Sequence, residues 1–301
     1  MKRELANSIA KVIYPFQKLV RADSERIPVL CYHRILPDYT DDKASIHAIT
    51  PAQFESQLAF LAKHGFQSLS IEEFRGIMSG SQKAPSRAVL VTFDDGFADN
   101  YHVAWPLAMY YGMKINLFIV TSFVDGSEPI PVKNRACSIH KAKFPELWQP
   151  MTWEEIRDMK RLGVGVGLHG HRHRNLATIE YADVRSDLEC AVKLFTEQVG
   201  GSPWAFALPY GSVGQYNRGV LKALENCGFE MIFSTISGRA RPARGRRRSL
   251  LIPRITIHQD EDLGSFELKV FGARDWLESV QRFRQIAWEC SIKARTLFKN
   301  C

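Results

Sequence analysis

Short β-rich runs alternate with helical stretches from Ile27 onward, and this alternation most limits the folds open to the chain. Apolar, β-branched and aromatic residues fill the runs, whereas the stretches between them carry apolar residues at helical spacing. Such alternation is typical of an α/β fold with parallel strands. The predicted strands are 27–33, 88–96, 114–120, 164–169 and 205–211, with shorter ones near 229–236 and 251–257.

Helical periodicity predicts the segments between these strands. At the start of one of them, Thr152 stands at the N-cap and Glu155 follows three residues later, which is the pattern of a capping box. Residues 123–150 show little periodicity and are predicted to be an insertion over one face. The predicted helices are 51–65, 100–112, 152–163, 183–200 and 215–227.

Polar residues gather at the carboxyl ends of the predicted strands. In parallel α/β folds the active site is built at these ends, so the groups are expected to converge on one rim. Each signal alone is weak, because Asp-Asp-Gly is also a common turn. The converging residues are His33, Asp94, Asp95, His169, His171, His173, Pro209, Tyr210 and Gly211.

The carboxylates and the histidine run GLHGHRHRNL are candidate metal ligands. One carboxylate and two imidazoles make an open zinc site with a position left for water or substrate. Zinc is the default, although cobalt, manganese or iron suits the same groups. The second aspartate is then available as a base. Because a metal lowers the pKa of bound water and polarises a carbonyl, the set predicts hydrolysis of an amide or ester.

The order of these motifs resembles the polysaccharide deacetylases, the NodB-like group of carbohydrate esterase family 4. VTFDDGFADNY (91–101) is similar to the family's T-F-D-D-G motif, which implies Asp94 as catalytic base and Asp95 as metal ligand. MTWEEIRDMKRLGVGVGLHGHRHRNL (151–176) resembles the motif in which a Trp-bearing helix precedes G-x-H-x-x-x-H-x-x-L. This likeness implies His169 and His173 as the other two ligands.

Two further stretches extend the resemblance. FALPYG (206–211) is similar to a motif that forms one groove wall, which implies substrate contacts for Pro209 and Tyr210 and an oxyanion donor in the backbone N–H of Tyr210. Trp153 is a further candidate substrate contact. PVLCYHRI (28–35) is similar to the first strand of many members. Together they imply a deformed TIM-like (β/α) barrel over 27–260, after an N-terminal amphipathic helix (1–26) and before a C-terminal helical extension (261–301).

The chain departs from the family pattern at two functional positions. Many members have Ser or Thr where this chain has Gly170, and an arginine that orients the base where it has Ala207. We expect Arg254, in LIPRITIH, to supply the missing cation beside Asp94. In the family the general acid is usually a histidine from the last part of the barrel. His258 is the candidate in that part of the chain, and His33, at the end of the first strand, is its rival.

Net charge limits the partners expected of the chain, and the cysteine pattern indicates the state of its thiols. The net charge is +8, and much of the basic excess is local, in a run predicted to be a solvated loop: Arg239, Arg241, Arg244, Arg246, Arg247 and Arg248. No base-stacking or groove-reading motif accompanies it, so no nucleic-acid partner is expected. The six cysteines form no CxxC pair, which favours reduced thiols.

Both ends of the chain are basic and amphipathic. The N-terminal stretch is too interrupted by charge for a signal-peptide core or a spanning helix, so a cytoplasmic location is expected. Packing on the protein is the usual fate of such helices, and peripheral contact with the inner membrane face is the alternative.

Together these expectations predict a metal-dependent hydrolase that removes an N-acetyl or other N-acyl group from an amino sugar. The expected partner is a glycan or a lipid- or nucleotide-linked sugar. The alternative is a catalytically inactive sugar-binding or scaffold module on the same fold. Sugar identity, linkage, acetyl against formyl, and the metal used in the cell stay open.

Overall fold

The computed structural model describes residues 26–36, 47–130, 135–242 and 250–299. The helix predicted for 1–26, apart from its last residue, and the part of the arginine run from 243 to 249 lie outside these residues. Among the helices that are described, none has the length and apolar character needed to cross a bilayer.

A curled parallel sheet forms the centre of the fold. The strands are β1 (Val29–Tyr32), β2 (Arg34–Ile35), β3 (Ala48–Ile49), β4 (Gln67–Ser68), β5 (Ala88–Asp95), β6 (Asn116–Ile119), β7 (Gly165–Leu168), β8 (Ala205–Ala207), β9 (Met231–Phe233), β10 (Leu250–Ile252) and β11 (Ile255–Thr256). In the described residues the main sheet has the order β10-β9-β8-β7-β6-β5-β1-β11, with β4 beside β5. Strands β2 and β3 pair separately.

Helices cover the sheet. They are α1 (Pro51–Lys63), α2 (Ile71–Ser79), α3 (Trp105–Tyr110, preceded by a π-helical turn, Asn100–Ala104), α4 (Thr121–Val124), α5 (Arg135–Lys143), α6 (Trp153–Arg161), α7 (Tyr181–Val199), α8 (Arg218–Asn226), α9 (Leu263–Val270) and α10 (Trp276–Lys299), with a 3₁₀ turn at Pro145–Trp148. Capping boxes begin α1, α2 and α6 at Thr50, Ser70 and Thr152. The box predicted at Thr152 and Glu155 is therefore confirmed.

Strand β5 carries the aspartate pair to the rim of the sheet. All its residues are buried, as expected for a parallel strand covered on both faces. Its register sets Asp94 beside Phe118 and Asp95 beside Ile119 of β6, and Ile119 in turn lies beside Leu168 of β7. The carboxyl ends of these three strands therefore meet at one edge.

The insertion predicted between 123 and 150 folds as short helices next to this edge. Phe97, just after β5, packs against Phe123 with ring centroids 4.8 Å apart and against Trp148 at 5.9 Å. The N–H of Ala98 donates to the carbonyl of Gln149. The insertion is thus anchored beside the end of β5.

The predicted α/β barrel is confirmed in an open form, because in the described residues β10 and β11 are opposite edges of the sheet. Helix α2 and the pair β2–β3 were not predicted. The solvated loop predicted from residue 239 was wrong at its start: Arg239 is 9% exposed, its Nη2 lies 2.9 Å from Asp275 Oδ2, and Ala240 bridges Ile27. The extension 261–301 contains α9 and α10, while the domain limits stay a prediction.

Candidate active site

Asp94 and Asp95 end β5 at the rim. Both are buried, at 1% and 7% exposure. Asp95 has φ +79°, in the left-handed region that non-glycine residues rarely adopt. Regular alternation would send adjacent side chains to opposite faces of the sheet, and this turn breaks it, so that Asp94 and Asp95 lie 3.8 and 3.6 Å from the same atom, His169 Nε2.

Two histidines meet Asp95 from the loop after β7. Asp95 Oδ1 lies 3.6 Å from His169 Nε2 and 3.5 Å from His173 Nε2. Nδ1 of His169 lies 2.8 Å from the carbonyl oxygen of Ala207, so the proton belongs on Nδ1 and the lone pair of Nε2 faces Asp95. The predicted trio is brought together.

The trio fits a metal ion. Donors about 2.1 Å from one ion at tetrahedral angles are about 3.4 Å apart, close to the separations seen here. Asp95 Oδ1 is buried and accepts no hydrogen bond from the described residues. Burial and the charge of Asp94 raise the pKa of Asp95 to about 8. A cation would relieve both features, and the donor set of one carboxylate and two imidazoles suits zinc.

Arg254 holds Asp94. Its Nη1 and Nη2 each donate to one carboxylate oxygen at 2.7 Å, and both side chains are essentially fully buried. Burial alone would raise the pKa of Asp94, but Arg254 and His169 outweigh it and hold that pKa well below its usual range. Arg254 thus occupies the place beside the base that was expected of it.

The third histidine of the run points away from the donors. Nδ1 of His171 lies 2.9 Å from Thr121 Oγ1. Asp187, buried on α7, accepts the backbone N–H groups of His171 at 2.8 Å and Arg172 at 3.1 Å. This carboxylate fixes the loop between His169 and His173, and it was not predicted from the sequence.

Tyr210 borders the trio on the other side. Its ring centroid lies 4.6 Å from that of His173, and Thr235 Oγ1 donates to its carbonyl at 2.7 Å. Burial and the charge of Asp95 raise the pKa of the phenol to about 12. Among described non-glycine residues, positive φ occurs only at His47, Asp95, His173 and Tyr210, so backbone strain is concentrated at this site.

Three histidines form a row beside Asp94. The ring centroid of His33 lies 5.0 Å from that of His47, which lies 5.6 Å from that of His258. His33 lies closer to Asp94 than His258 does. A ring nitrogen of His33, Cys31 Sγ and an Asp94 oxygen lie within 4.8 Å of one another. Burial and the neighbouring His47 lower the pKa of His33 to about 3. His33 and His258 are both half-buried, and His258 stands at the outer end of the row.

His47 and Cys31 were both missed from the sequence. The thiol of Cys31 donates to Asp94 Oδ2 at 3.5 Å. Strand alternation carried a signal for it, because the strand predicted over 27–33 holds both Cys31 and His33, residues two apart in a strand face the same side, and His33 was already a candidate. His47 had no such signal.

The remaining candidates flank the centre. Pro209 is buried, and its Cγ would lie 3.5 Å from a Cβ at Gly170, so the position after His169 has little room for a side chain. Trp153, at the start of α6, packs against the main hydrophobic core. No described contact joins Trp153 to the Asp–His trio, and its role in binding sugar stays a prediction.

The motif residues fall within a match to a known family. The family model described as polysaccharide deacetylase matches residues 81–232, half of the chain. The chain belongs to the polysaccharide deacetylase family. The expectation of a hydrolase of this type is confirmed at the level of the family. His33, Arg254 and His258 lie outside the matched range.

Relatives and solved structures agree with this assignment. A poly-β-1,6-N-acetyl-D-glucosamine N-deacetylase of Staphylococcus aureus (strain MRSA252) is 27% identical over 71% of this chain and 69% of its own length. The enzyme of the same name from Escherichia coli (strain K12) is 22% identical over 85% of this chain but only 40% of its own length. The structure of the Streptococcus pyogenes deacetylase PplD in complex with acetate matches with TM-score 0.67 and 22% identity, covering 81% of this chain and 98% of that one. This structural likeness confirms the barrel fold.

Proposed function

We propose that this chain removes an N-acetyl group from an N-acetylhexosamine in a glycan or glycan precursor, with one divalent ion held by Asp95, His169 and His173. One observation carries the proposal: three donor atoms converge within 4.8 Å of one another, beside a buried carboxylate held by a guanidinium. When bound, such an ion lowers the pKa of a water ligand towards neutrality and polarises a carbonyl oxygen. We propose zinc, with cobalt, manganese or iron as alternatives.

Asp94 acts as the base in this proposal. Its Oδ2 lies 3.8 Å from His169 Nε2, so the carboxylate borders the donor trio. Arg254 keeps it ionised at neutral pH, and the paired hydrogen bonds prevent it from turning towards the cation site. An ionised oxygen held there accepts the proton that the attacking water loses.

The opposite wall stabilises the charge that develops on the amide oxygen. The backbone N–H of Tyr210 is the proposed donor, since Thr235 restrains the carbonyl of the same residue and the backbone turns there at positive φ. Pro209 and Trp153 are proposed to border the sugar. The left-handed backbone at Tyr210 is strain retained at a working site.

Geometry favours His33 over His258 as the general acid, because its ring nitrogen lies within 4.8 Å of an Asp94 oxygen whereas His258 is two rings further out. Since burial lowers the pKa of His33 to about 3, the ring is neutral beforehand and receives the proton that Asp94 takes from the attacking water before passing it to the departing amine. We expect His33→Ala to lower kcat by about 100-fold or more and His258→Ala to change it far less, with bound metal unchanged in both. Steady-state acetate release and metal analysis measure this. The reverse order would assign the acid to His258, and full activity in both variants would exclude both.

Arg254 is the positioning residue for the base. Arg254→Ala leaves a buried carboxylate unpaired, so we expect about 3–5 kcal/mol lower stability and a fall in kcat. Arg254→Lys, which keeps the charge but not the paired donors, should recover part of both losses. Chemical unfolding and acetate release measure the effects. Turnover and metal content unchanged in Arg254→Ala would remove Arg254 from the account.

The substrate class is proposed from the relatives. Two of them are named as poly-β-1,6-N-acetyl-D-glucosamine N-deacetylases, so an N-acetylglucosamine glycan is the first candidate. Lipid-linked and nucleotide-linked sugars, and formyl in place of acetyl, are the other candidates. A screen of acyl-sugars with each metal supplied in turn tests the function, and acyl release in no combination would reject it.

An inactive sugar-binding module on the same fold is the competing function. The complete set of Asp94, Asp95, His169 and His173 favours the enzyme, because a module without chemistry has no need for a buried base beside a metal trio. One metal per chain together with acyl release separates the two.

A cytoplasmic location with peripheral membrane contact stays a proposal. On α10, Phe283 and Ile286 are 73% and 61% exposed, and Arg282 and Arg284 lie on the same stretch. Exposed apolar residues next to arginines are typical of helices that lie on anionic lipid surfaces.

A further inference from the structure

A second cavity lies under α10 at the open edge of the barrel. Its volume is about 230 Å³, and four Lys or Arg side chains line it. The charged residues around it are Arg254, Lys269, Arg274, Arg284, Glu261 and the ionisable His258. It adjoins the active site, because Arg254 also holds Asp94 and Thr235 of its wall also holds Tyr210.

The lining carries more positive than negative charge. Arg254 is balanced by Asp94. Glu261, the one carboxylate that lines the cavity, contacts Lys269 directly and lies 3.8 Å from Arg274 Nη1. Arg284, on the exposed side of the opening, pairs with no carboxylate among the described residues. Two cations thus exceed the carboxylates of the cavity.

An anion in the cavity would lie against cations that are partly shielded from water, which strengthens their attraction for it. Lys269 and Arg274 are only 6% and 7% exposed, whereas Arg284 is exposed at the opening. The hydroxyls of Ser237 and Thr256 add further donors to the wall. A phosphate monoester carries nearly two negative charges at neutral pH and three acceptor oxygens, which matches two excess cations better than a carboxylate does.

We propose that this cavity is a phosphate-binding subsite beside the active site, occupied by a phosphate group of the sugar substrate or by the free ion. The first source rests on the proposed function, because it places a phosphorylated amino sugar with its acyl group towards the Asp–His trio. The second does not depend on it. Phosphate recognition by arginine forks is common to both.

Titration of the zinc-loaded full chain with inorganic phosphate, followed by calorimetry, tests the subsite. Arg284→Ala is the variant of choice, because this exposed side chain leaves the core intact. We expect it to raise the Kd for phosphate about tenfold or more. Arg282→Ala is the matched control: it removes the same charge two residues away, from a side chain that bonds Glu278 and does not line the cavity, and should change Kd less than twofold. Absence of phosphate binding, or equal effects of both variants, would overturn the subsite.

Hydrolysis of N-acetylglucosamine 1-phosphate and of N-acetylglucosamine by the same three proteins identifies the source. A higher kcat/KM for the phosphorylated sugar that is lost only in Arg284→Ala supports a substrate phosphate. Equal kcat/KM values with Arg284-dependent phosphate binding support the free ion. Failure of every acyl-sugar to react would reject the proposed function. The phosphate titration would still test the subsite, because it does not depend on turnover.

Discussion

Replacing Asp94 by Asn is expected to lower kcat about 1,000-fold while the metal stays bound, because the amide has the shape of the carboxylate but accepts no proton. The ligands Asp95, His169 and His173 are untouched. The variant also leaves Arg254 buried beside a neutral group, so we expect a lower free energy of unfolding. Acetate release, metal analysis and chemical unfolding separate these effects.

Cys31→Ser is the matched control for this substitution. Its thiol contacts the same carboxylate at 3.5 Å but takes no part in proton transfer, so kcat should stay within a few-fold of the original. Turnover of Asp94→Asn close to that of Cys31→Ser would show that Asp94 is not the base.

Replacing His169 by Ala is expected to weaken zinc binding by more than about a hundredfold and to abolish turnover, since loss of a residue that only hydrogen-bonds to a metal ligand already costs about 10–100-fold. Only Asp95 and His173 would then remain as protein ligands. Metal content after dialysis and zinc titration measure the loss.

His171→Ala is the control from the same loop, because its side chain bonds Thr121 rather than facing the donors. It should keep one zinc per chain. If both variants retain zinc equally, or if His171→Ala is the one that loses it, the ligand assignment is wrong.

The rim could be predicted from the sequence because parallel strands align their carboxyl ends. This reasoning brought Asp94, Asp95 and the histidine run to one rim, and it depends only on strand polarity, which is a general property of parallel sheets. The resemblance selected His169 and His173 from that run, and the family arginine missing at Ala207 led to Arg254. The resemblance added the roles.

Other parts of the site depend on tertiary packing that no local pattern reports. In the sequence Asp187 is only one carboxylate on a predicted helix. Its bonds to the histidine loop depend on how α7 packs against that loop. His47 reaches the row of histidines through β2 and β3, two residues each, which are too short for a periodic signal. Helix α2 was not predicted, although Ser70 and Glu73 have the spacing of a capping box. The sequence therefore carried a signal for the start of this helix.

The most direct test of the account is acetate release from poly-β-1,6-N-acetyl-D-glucosamine oligomers by chelated protein to which zinc is returned in steps. The account predicts no release from the metal-free chain and activity that rises in proportion to bound metal up to one equivalent, with Asp94→Asn binding the same metal and releasing almost no acetate. Acetate release that survives chelation, or metal-loaded protein that deacylates no acyl-sugar offered, would contradict it.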